Sequence, residues 1–363
     1  MKYFFGPFIG EFGWELLFWQ AWIRNIKQKY LSNHEVIVSS FPGRQPLYEF
    51  ADKFIPLPDS YLENNFSSKN YFLDWEHFNE DQFLNFKNEI KLLMKHYSIL
   101  FKNENIKYIY NFPQKIYTRK LNYRIQNYVS RKIFKNKINN FEEYLEKVNI
   151  HPGKNIKSPL FLNYPYKYNS IDSYNVQFPL ISNQSFIKLK STKYGIKLRN
   201  EILKNYEING PIFCIFPRFR NIRRPDKNWT ENNWIKFISL LVKKYNALIV
   251  ICGYSNESFF KNSKNSKNII NILNYDKKIS LDLQLAFLEI SKVAVHGRSG
   301  SCYLSMLSDR PTFMAGPEID RKIITIDDNV LNSNIKYFTD YDVNPPPEIF
   351  FTEFNEYYNE LYI

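Results

Sequence analysis

The sequence predicts an α/β protein of two domains, the second built on a doubly wound parallel sheet. Three observations carry this. The chain has 363 residues, 44% of them hydrophobic, enough to bury two cores. In its second half, short apolar runs recur at 211–217, 247–252, 268–273, 292–296 and 312–315, and helical patterns fill the intervals, as expected of parallel strands joined by crossover helices. The first half opens with repeated strand–loop–helix units.

In chain order, residues 2–8 read as a strand, and 14–29 carry Leu16, Leu17, Trp19, Trp22, Ile23 and Ile26 at helical spacing. The loop Gly10-Glu11-Phe12-Gly13 separates them. A second strand over 36–40 precedes the turn Pro42-Gly43 and a helix over 45–53. A long helix over 81–101 leads to a strand over 106–111, and 115–148 is polar, basic and helical in pattern. Residues 151–190, rich in Pro, Asn, Ser and Tyr, mark the region between domains. The expected domains are therefore 1–175 and 195–340, with an aromatic, acidic tail over 341–363 forming a closing helix. In the second domain Thr230 is the expected N-cap, with Asn233 where a capping-box Glu or Gln would stand, of a helix carrying Trp234, Phe237, Ile238, Leu240 and Leu241 and ending near Tyr245. Ser280 is expected to cap a helix through Leu285 and Leu288, and Gly300 to open another through Leu304 and Leu307.

Lys and Arg number 49 against 36 Asp and Glu, a net charge of +13. That excess points to an anionic partner: a nucleotide, a phosphorylated lipid, an anionic membrane surface or nucleic acid. Nucleic acid is the weaker reading, because no nucleic-acid-binding motif occurs and most aromatics fall in core-like periodic patterns. Cys214, Cys252 and Cys302 match no metal-ligand or disulfide spacing, which suits a reducing, cytoplasmic compartment. No apolar run approaches the roughly 20 residues that span a bilayer, and Glu11 and Glu15 interrupt the apolar start of the chain. A soluble protein, peripheral at most on the inner face of a membrane, is expected.

Ligands of doubly wound sheets bind at the carboxyl ends of the strands, and there the sequence concentrates charge. After the run ending at Pro217 come Arg218, Arg220, Arg223, Arg224 and Lys227 with one acid, Asp226. Guanidinium groups match phosphate oxygens bidentately and the ammonium adds a point charge; a solvated surface loop is the plain alternative. Gly297-Arg298-Ser299-Gly300-Ser301 again lies between a strand and a helix, where hydroxyl and amide groups suit a phosphate and Gly permits close approach; an ordinary tight turn would look the same. In Gly10-Glu11-Phe12-Gly13-Trp14-Glu15 a partly buried carboxylate would have a raised pKa suited to a general base, or both acids would merely complement a helix dipole. Arg44 follows the second strand, as an anion-binding group or an exposed turn residue. The one Asp-x-Asp pair, Asp340-Tyr341-Asp342, comes late in the chain, and the five histidines form no ligand motif; no metal and no other cofactor is expected.

Together these segments resemble the heptosyltransferases, glycosyltransferase family 9. Lys227-Asn228-Trp229-Thr230-Glu231-Asn232-Asn233-Trp234 is similar to the family's lysine, tryptophan and Glu-x-x-Trp segment. Arg298-Ser299-Gly300-Ser301-Cys302-Tyr303-Leu304, then Asp309-Arg310-Pro311-Thr312 and Gly316-Pro317, resemble its Asp-Ser/Thr-Gly-x-x-His-Leu block and the strand that follows. Gly10-Glu11 falls where the family has Gly-Asp, its catalytic base. The likeness covers the chain in outline and is dense over 211–320. It departs at Arg298, which replaces an Asp near the donor sugar, at Tyr303, which replaces a His, and at Glu11, longer by one methylene.

The resemblance implies two Rossmann-like domains facing a cleft, the GT-B arrangement, and an inverting, metal-independent transfer from a nucleotide-diphosphate sugar to a glycan or glycolipid in polysaccharide or lipopolysaccharide synthesis. It implies Glu11 and Lys227 as catalytic residues. The donor would be held by Arg218, Arg220, Lys227, Gly253, Arg298, Ser299, Gly300 and Ser301, with its base near residues 253–255 and 275–283. The acceptor would meet Gly10, Gly13, Glu15 and Arg44. A basic nucleic-acid-binding protein and a non-catalytic sugar-nucleotide binder are the alternatives.

Overall fold

A computed structural model describes residues 1–10, 12–65, 80–110, 173–175, 186–221, 225–254, 258–318, 321 and 333–362. The chain divides into two compact units, Met1–Ser185 and Phe186–Ile363.

Unit 1 holds five parallel strands, β1 (Lys2–Phe5), β2 (Glu35–Ser40), β3 (Lys53–Pro56), β4 (Ile106–Tyr110) and β5 (Ser173–Asn175), in the order β3-β2-β1-β4-β5. Between β1 and β2 come a helical turn at Phe12–Trp14, a π-helical turn at Glu15–Trp19 and helix α1 (Gln20–Tyr30). The aromatics of β1 alternate between faces as strand geometry requires. Phe5 meets Trp22 of α1 on one side, and Phe4 meets Tyr97 and Tyr108 on the other. Helix α2 spans Asp59–Asn65 and the long helix α3 spans Glu80–Leu100. The helix expected over 45–53 is only a 3₁₀ turn, Gln45–Tyr48, followed by β3. Asp52 explains the change: its carboxylate accepts from the Val36 N–H and the Lys27 ammonium, both at 2.7 Å, which pins the chain alongside β2. The expected helix over 115–148 lies outside the described residues.

Unit 2 holds six parallel strands, β6 (Ile212–Phe216), β7 (Leu248–Ile251), β8 (Ile269–Asn271), β9 (Val293–His296), β10 (Thr312–Ala315) and β11 (Ile335–Phe338), in the order β11-β10-β9-β6-β7-β8. Its helices are α4 (Lys193–Leu203), α5 (Glu231–Tyr245), α6 (Lys277–Ile290), α7 (Cys302–Leu307) and α8 (Pro347–Tyr362). Thr230 caps α5 by accepting from the Asn233 N–H, and Asn246 ends it in the left-handed region, φ 50°. The cap of α6 is Asp276, not Ser280. Ser280 lies a turn inside, buried, and its hydroxyl accepts from Gln284. The tail is no appendage: Phe350, Phe354 and Tyr357 of α8 join Phe213, Phe237 and Phe313 in one core. No helix among the described residues is long and apolar enough to cross a membrane.

Counted from its own first strand, each sheet reads 3-2-1-4-5, with a sixth strand in unit 2. This is the doubly wound Rossmann order, and strand order reverses between the first and fourth strands, where ligands bind. Those switch points lie at β1/β4 and β6/β9.

Candidate functional site

In unit 2 the strands β6 and β9 pair so that Phe216 lies opposite His296, and the Gly297 N–H donates to the Phe216 carbonyl at 3.0 Å. The two basic segments therefore leave the sheet side by side. A Cβ on Gly297 would stand 2.8 Å from Arg218 Cβ and 3.0 Å from the Arg218 nitrogen, so only glycine admits this approach. Gly316, at the end of β10, is equally constrained: its Cβ would lie 2.0 Å from the Tyr337 hydroxyl and 3.0 Å from Arg298 Cδ. Arg218 and Arg298 thus bracket the switch point, the first turned toward the loop that precedes α5, the second laid over the end of β10.

Asn228 organises the first loop. Its Oδ1 accepts from an Arg218 guanidinium N–H and from the Arg220 N–H, while its Nδ2 donates to the Arg220 carbonyl at 2.8 Å. Arg218 also bridges to Ser258 beyond β7, and Phe219 packs on Phe259. Arg218 is buried, 6% exposed, against the expectation that it lies open to a donor; Arg220 and Lys227 are half-buried, and Lys227 ends the short turn Pro225–Lys227. The hydroxyls of Ser299 and Ser301 bond each other at 3.2 Å. With Gly300 they form the half-exposed turn before α7. Gly253 (φ +119°) lies two residues past the end of β7, and its carbonyl accepts from Gln284 of α6. His296 is buried, stacked on Phe216 at 4.1 Å and bonded to Ser305 at 2.7 Å. Burial pulls its pKa down to about 3, so the ring is neutral at ordinary pH.

In unit 1 the corresponding strand ends are closed by a polar network. Glu15 in the π-helical turn is fully buried. One carboxylate oxygen accepts from Ser40, at the end of β2, and from Tyr48 at 2.7 Å; the other lies 3.5 Å from Arg44 Nε. Burial raises the Glu15 pKa, against the opposing pull of Arg44, Ser40 and Tyr48. The Arg44 guanidinium in turn covers the Phe12 ring at 3.8 Å, a cation–π contact. This corrects two expectations. Glu15 faces no acceptor, because its carboxylate has no exposed surface, and Arg44 is neither an open anion site nor an exposed turn residue. Together they hold Phe12, the neighbour of Glu11. Gly10 is buried and Gly13 half-buried beside them; Glu11 lies outside the described residues.

No protein-family model matches the chain, and no curated protein matches it by sequence. Solved structures do match. The ADP-heptose LPS heptosyltransferase II of E. coli aligns over 99% of this chain and 98% of its own, with 11% identity and a TM-score of 0.53. A glycosyl transferase family 9 protein from Veillonella parvula DSM 2008 aligns over 99% and 97%, with 9% identity and the same TM-score. The chain has the GT-B fold. Its two Rossmann-like units are the two domains of that fold.

Within it, the best-matching motif is divided in role. Trp229 and Trp234 are core residues, and the Trp229 indole donates to the Pro345 carbonyl at 2.8 Å. Lys227 and Asn228 lie in the loop at the carboxyl end of β6. Sequence reading gave no role to Asn228, Tyr337 or the partners Ser40 and Tyr48. An Asn directly after a cationic loop was the one available signal, since its amide can donate and accept at once. Among the described residues no group of three or more His, Cys, Asp or Glu side chains is placed to hold a metal ion. Asp340 and Asp342 are exposed, and the three cysteines are buried and unbridged.

Proposed function

We propose that the protein transfers a sugar from a nucleotide-diphosphate donor to a hydroxyl of a glycan or glycolipid acceptor, with inversion and without a metal, in the synthesis of cell-surface polysaccharide or lipopolysaccharide. The observation that carries this reading is the approach of Arg218 to Gly297 at the β6/β9 switch point, which gathers a cationic loop and a glycine–serine turn where a doubly wound sheet takes a diphosphate. The similarity to a heptosyltransferase named for ADP-heptose supports a sugar nucleotide as the donor. Arg298 in place of an acid leaves the sugar itself open.

In this mechanism the acceptor oxygen attacks the anomeric carbon from the face opposite the diphosphate, the bond from that carbon to the diphosphate oxygen breaks, and the leaving group departs with the electron pair. Glu11 takes the acceptor proton. Arg220 and Lys227 neutralise the charge growing on the diphosphate, Arg218, buried against Asn228, holds the loop that carries them, and Ser299, Gly300 and Ser301 are further donors. This cationic loop, held in shape by Asn228, supplies the role that a metal fills elsewhere.

A thermal-shift screen of nucleoside diphosphates tests the reading. One of them at 100 times its dissociation constant adds about 2.7 kcal/mol of apparent stability, and Arg218→Ala and Lys227→Ala weaken that protection. Glu11→Gln keeps the protection and lowers turnover about 10²–10⁴-fold. The reading fails if no nucleoside diphosphate protects, or if protection is indifferent to Arg218 and Lys227.

A further inference from the structure

Along the carboxyl edge of the second sheet the strands run β7-β6-β9-β10, and their ends offer different chemistry. Past β7, Gly253 stands beside open space: a Cβ there would meet only Leu273 Cδ2, at 3.7 Å, which leaves room for a flat base against an apolar wall. Between β6 and β9 the Arg218 loop passes Gly297, the place given above to the diphosphate. The next strand end is that of β10, and the Arg298 side chain crosses to it. Arg298 Cδ lies 3.0 Å from where a Gly316 Cβ would stand. The Tyr337 hydroxyl presses on the same point while donating to the Pro317 carbonyl at 3.3 Å. The half-buried Arg298 stem therefore lies one strand beyond the pass at Gly297. From β7 to β10 there are three inter-strand steps, about 14 Å at roughly 4.8 Å each, a span of the order of an extended sugar nucleotide from base to sugar. With the base at β7 and the diphosphate at β6/β9, the sugar falls at β10, against Arg298.

We propose that the donor sugar carries a carboxylate, as in a nucleotide-diphosphate uronic acid, and that Arg298 selects it. The proposal rests on the donor reading above and narrows it to one class of sugar. A neutral sugar offers hydroxyl groups alone, and a half-buried guanidinium facing them gives up hydration without meeting a charge. A carboxylate makes good that loss, because the planar guanidinium meets both its oxygens in a paired, charge-assisted contact. The diphosphate is the other anion of the donor, but its charge is the task of Arg220 and Lys227, on the loop that Asn228 holds at β6. An acid at position 298 would repel the same carboxylate, so this one residue decides between two donor classes.

The test uses matched donors that differ only in a carboxylate for a hydroxymethyl group: UDP-glucuronic acid against UDP-glucose, GDP-mannuronic acid against GDP-mannose, and ADP-glucuronic acid against ADP-glucose. Each pair is set beside its free nucleoside diphosphate in calorimetry with the full-length protein. On the base that the protein accepts, the uronic acid binds about tenfold or more tightly than the neutral sugar, as a hydrogen bond to a charged group requires. Raising salt narrows the margin. Arg298→Gln removes the charge and keeps a hydrogen-bonding amide; the preference falls to near parity while the free diphosphate still binds. Arg298→Lys retains part of the preference. If no nucleoside diphosphate binds, the donor reading is overturned and this proposal with it. If a diphosphate binds but acidic and neutral sugars bind equally, this proposal alone is overturned, and that comparison needs no variant to fold. An Arg298→Gln protein that loses the free diphosphate and the uronic acid to the same degree also overturns it, and places Arg298 on the diphosphate.

Discussion

At the carboxyl edge of the first sheet, Glu15 accepts from Ser40 and Tyr48 through one oxygen and faces Arg44 at 3.5 Å with the other, out of reach of solvent. At the same edge of the second sheet, Arg220, Lys227, Arg298 and Ser299 stay half-buried, on loops that Asn228 ties to Arg218 and Arg220 and that pass close at Gly297. The strand orders are the same, so topology does not set the difference. Side chains do: unit 1 sets its acid against its own cation, whereas the loop after β6 in unit 2 carries Arg218, Arg220, Arg223, Arg224 and Lys227 against the single acid Asp226. A buried, self-paired network positions a loop, and an excess of one charge at a switch point attracts a ligand of the other.

The strongest way to break this comparison is to remove the cation from unit 1. Arg44→Met takes away the guanidinium facing Glu15 and Phe12 and keeps most of the apolar contact. Breaking one partner of a buried ion pair costs about 3–5 kcal/mol, less whatever the carboxyl recovers by taking a proton. Hydrogen exchange should show the loss confined to unit 1, with protection of unit 2 by a nucleoside diphosphate unchanged. A variant that binds nucleotide less well would mean that Arg44 belongs to the donor site.

Gly297→Ala makes the reciprocal cut in unit 2. Its Cβ would lie 2.8 Å from Arg218 Cβ with backbone just beyond, so Arg218 and the Gly297–Ser301 turn must part. Overpacking of this kind costs roughly 1–3 kcal/mol. Nucleotide affinity, measured calorimetrically, should fall about tenfold or more, while unit 1 keeps its exchange protection. Unchanged affinity would show that the approach of the two loops is incidental to binding.

How much of this was legible beforehand follows from the range of the forces involved. Five strands of unit 2 announced themselves because each is a short apolar run, and α5 because its cap, stripe and stop lie within one helix; β11, Ile335–Phe338, was missed, its first two residues being only half-buried. The 3₁₀ turn at Gln45–Tyr48 and strand β3 were missed because a contact from Asp52 to Val36, sixteen residues away, decides them. Asp276 displaced Ser280 as the cap because both types cap well and only the chain direction chooses. At the site, cation content and glycine positions were readable, since both follow from composition near a strand end. The roles of Glu15 and Arg44 were not: a buried pair and a solvent-facing pair have the same letters, and their partners Ser40 and Tyr48 come from a different β–α unit.

The mildest test sharpens the comparison through pH. Burial raises the Glu15 pKa above its ordinary 4.5, so the folded protein binds the proton more tightly than the unfolded chain does. The stability from that proton is fully present below the unfolded value and is lost as pH rises through the folded value. Glu15→Gln has no proton to lose, although it cannot pair with Arg44. The variant is therefore at its greatest disadvantage at acid pH, and the gap to wild type narrows as pH rises above about 4.5. Urea unfolding of unit 1, followed by exchange at pH 4.5, 6 and 8, measures that gap. A gap that widens with pH would mean that attraction to Arg44 outweighs burial, and that the network holds Glu15 as a full carboxylate.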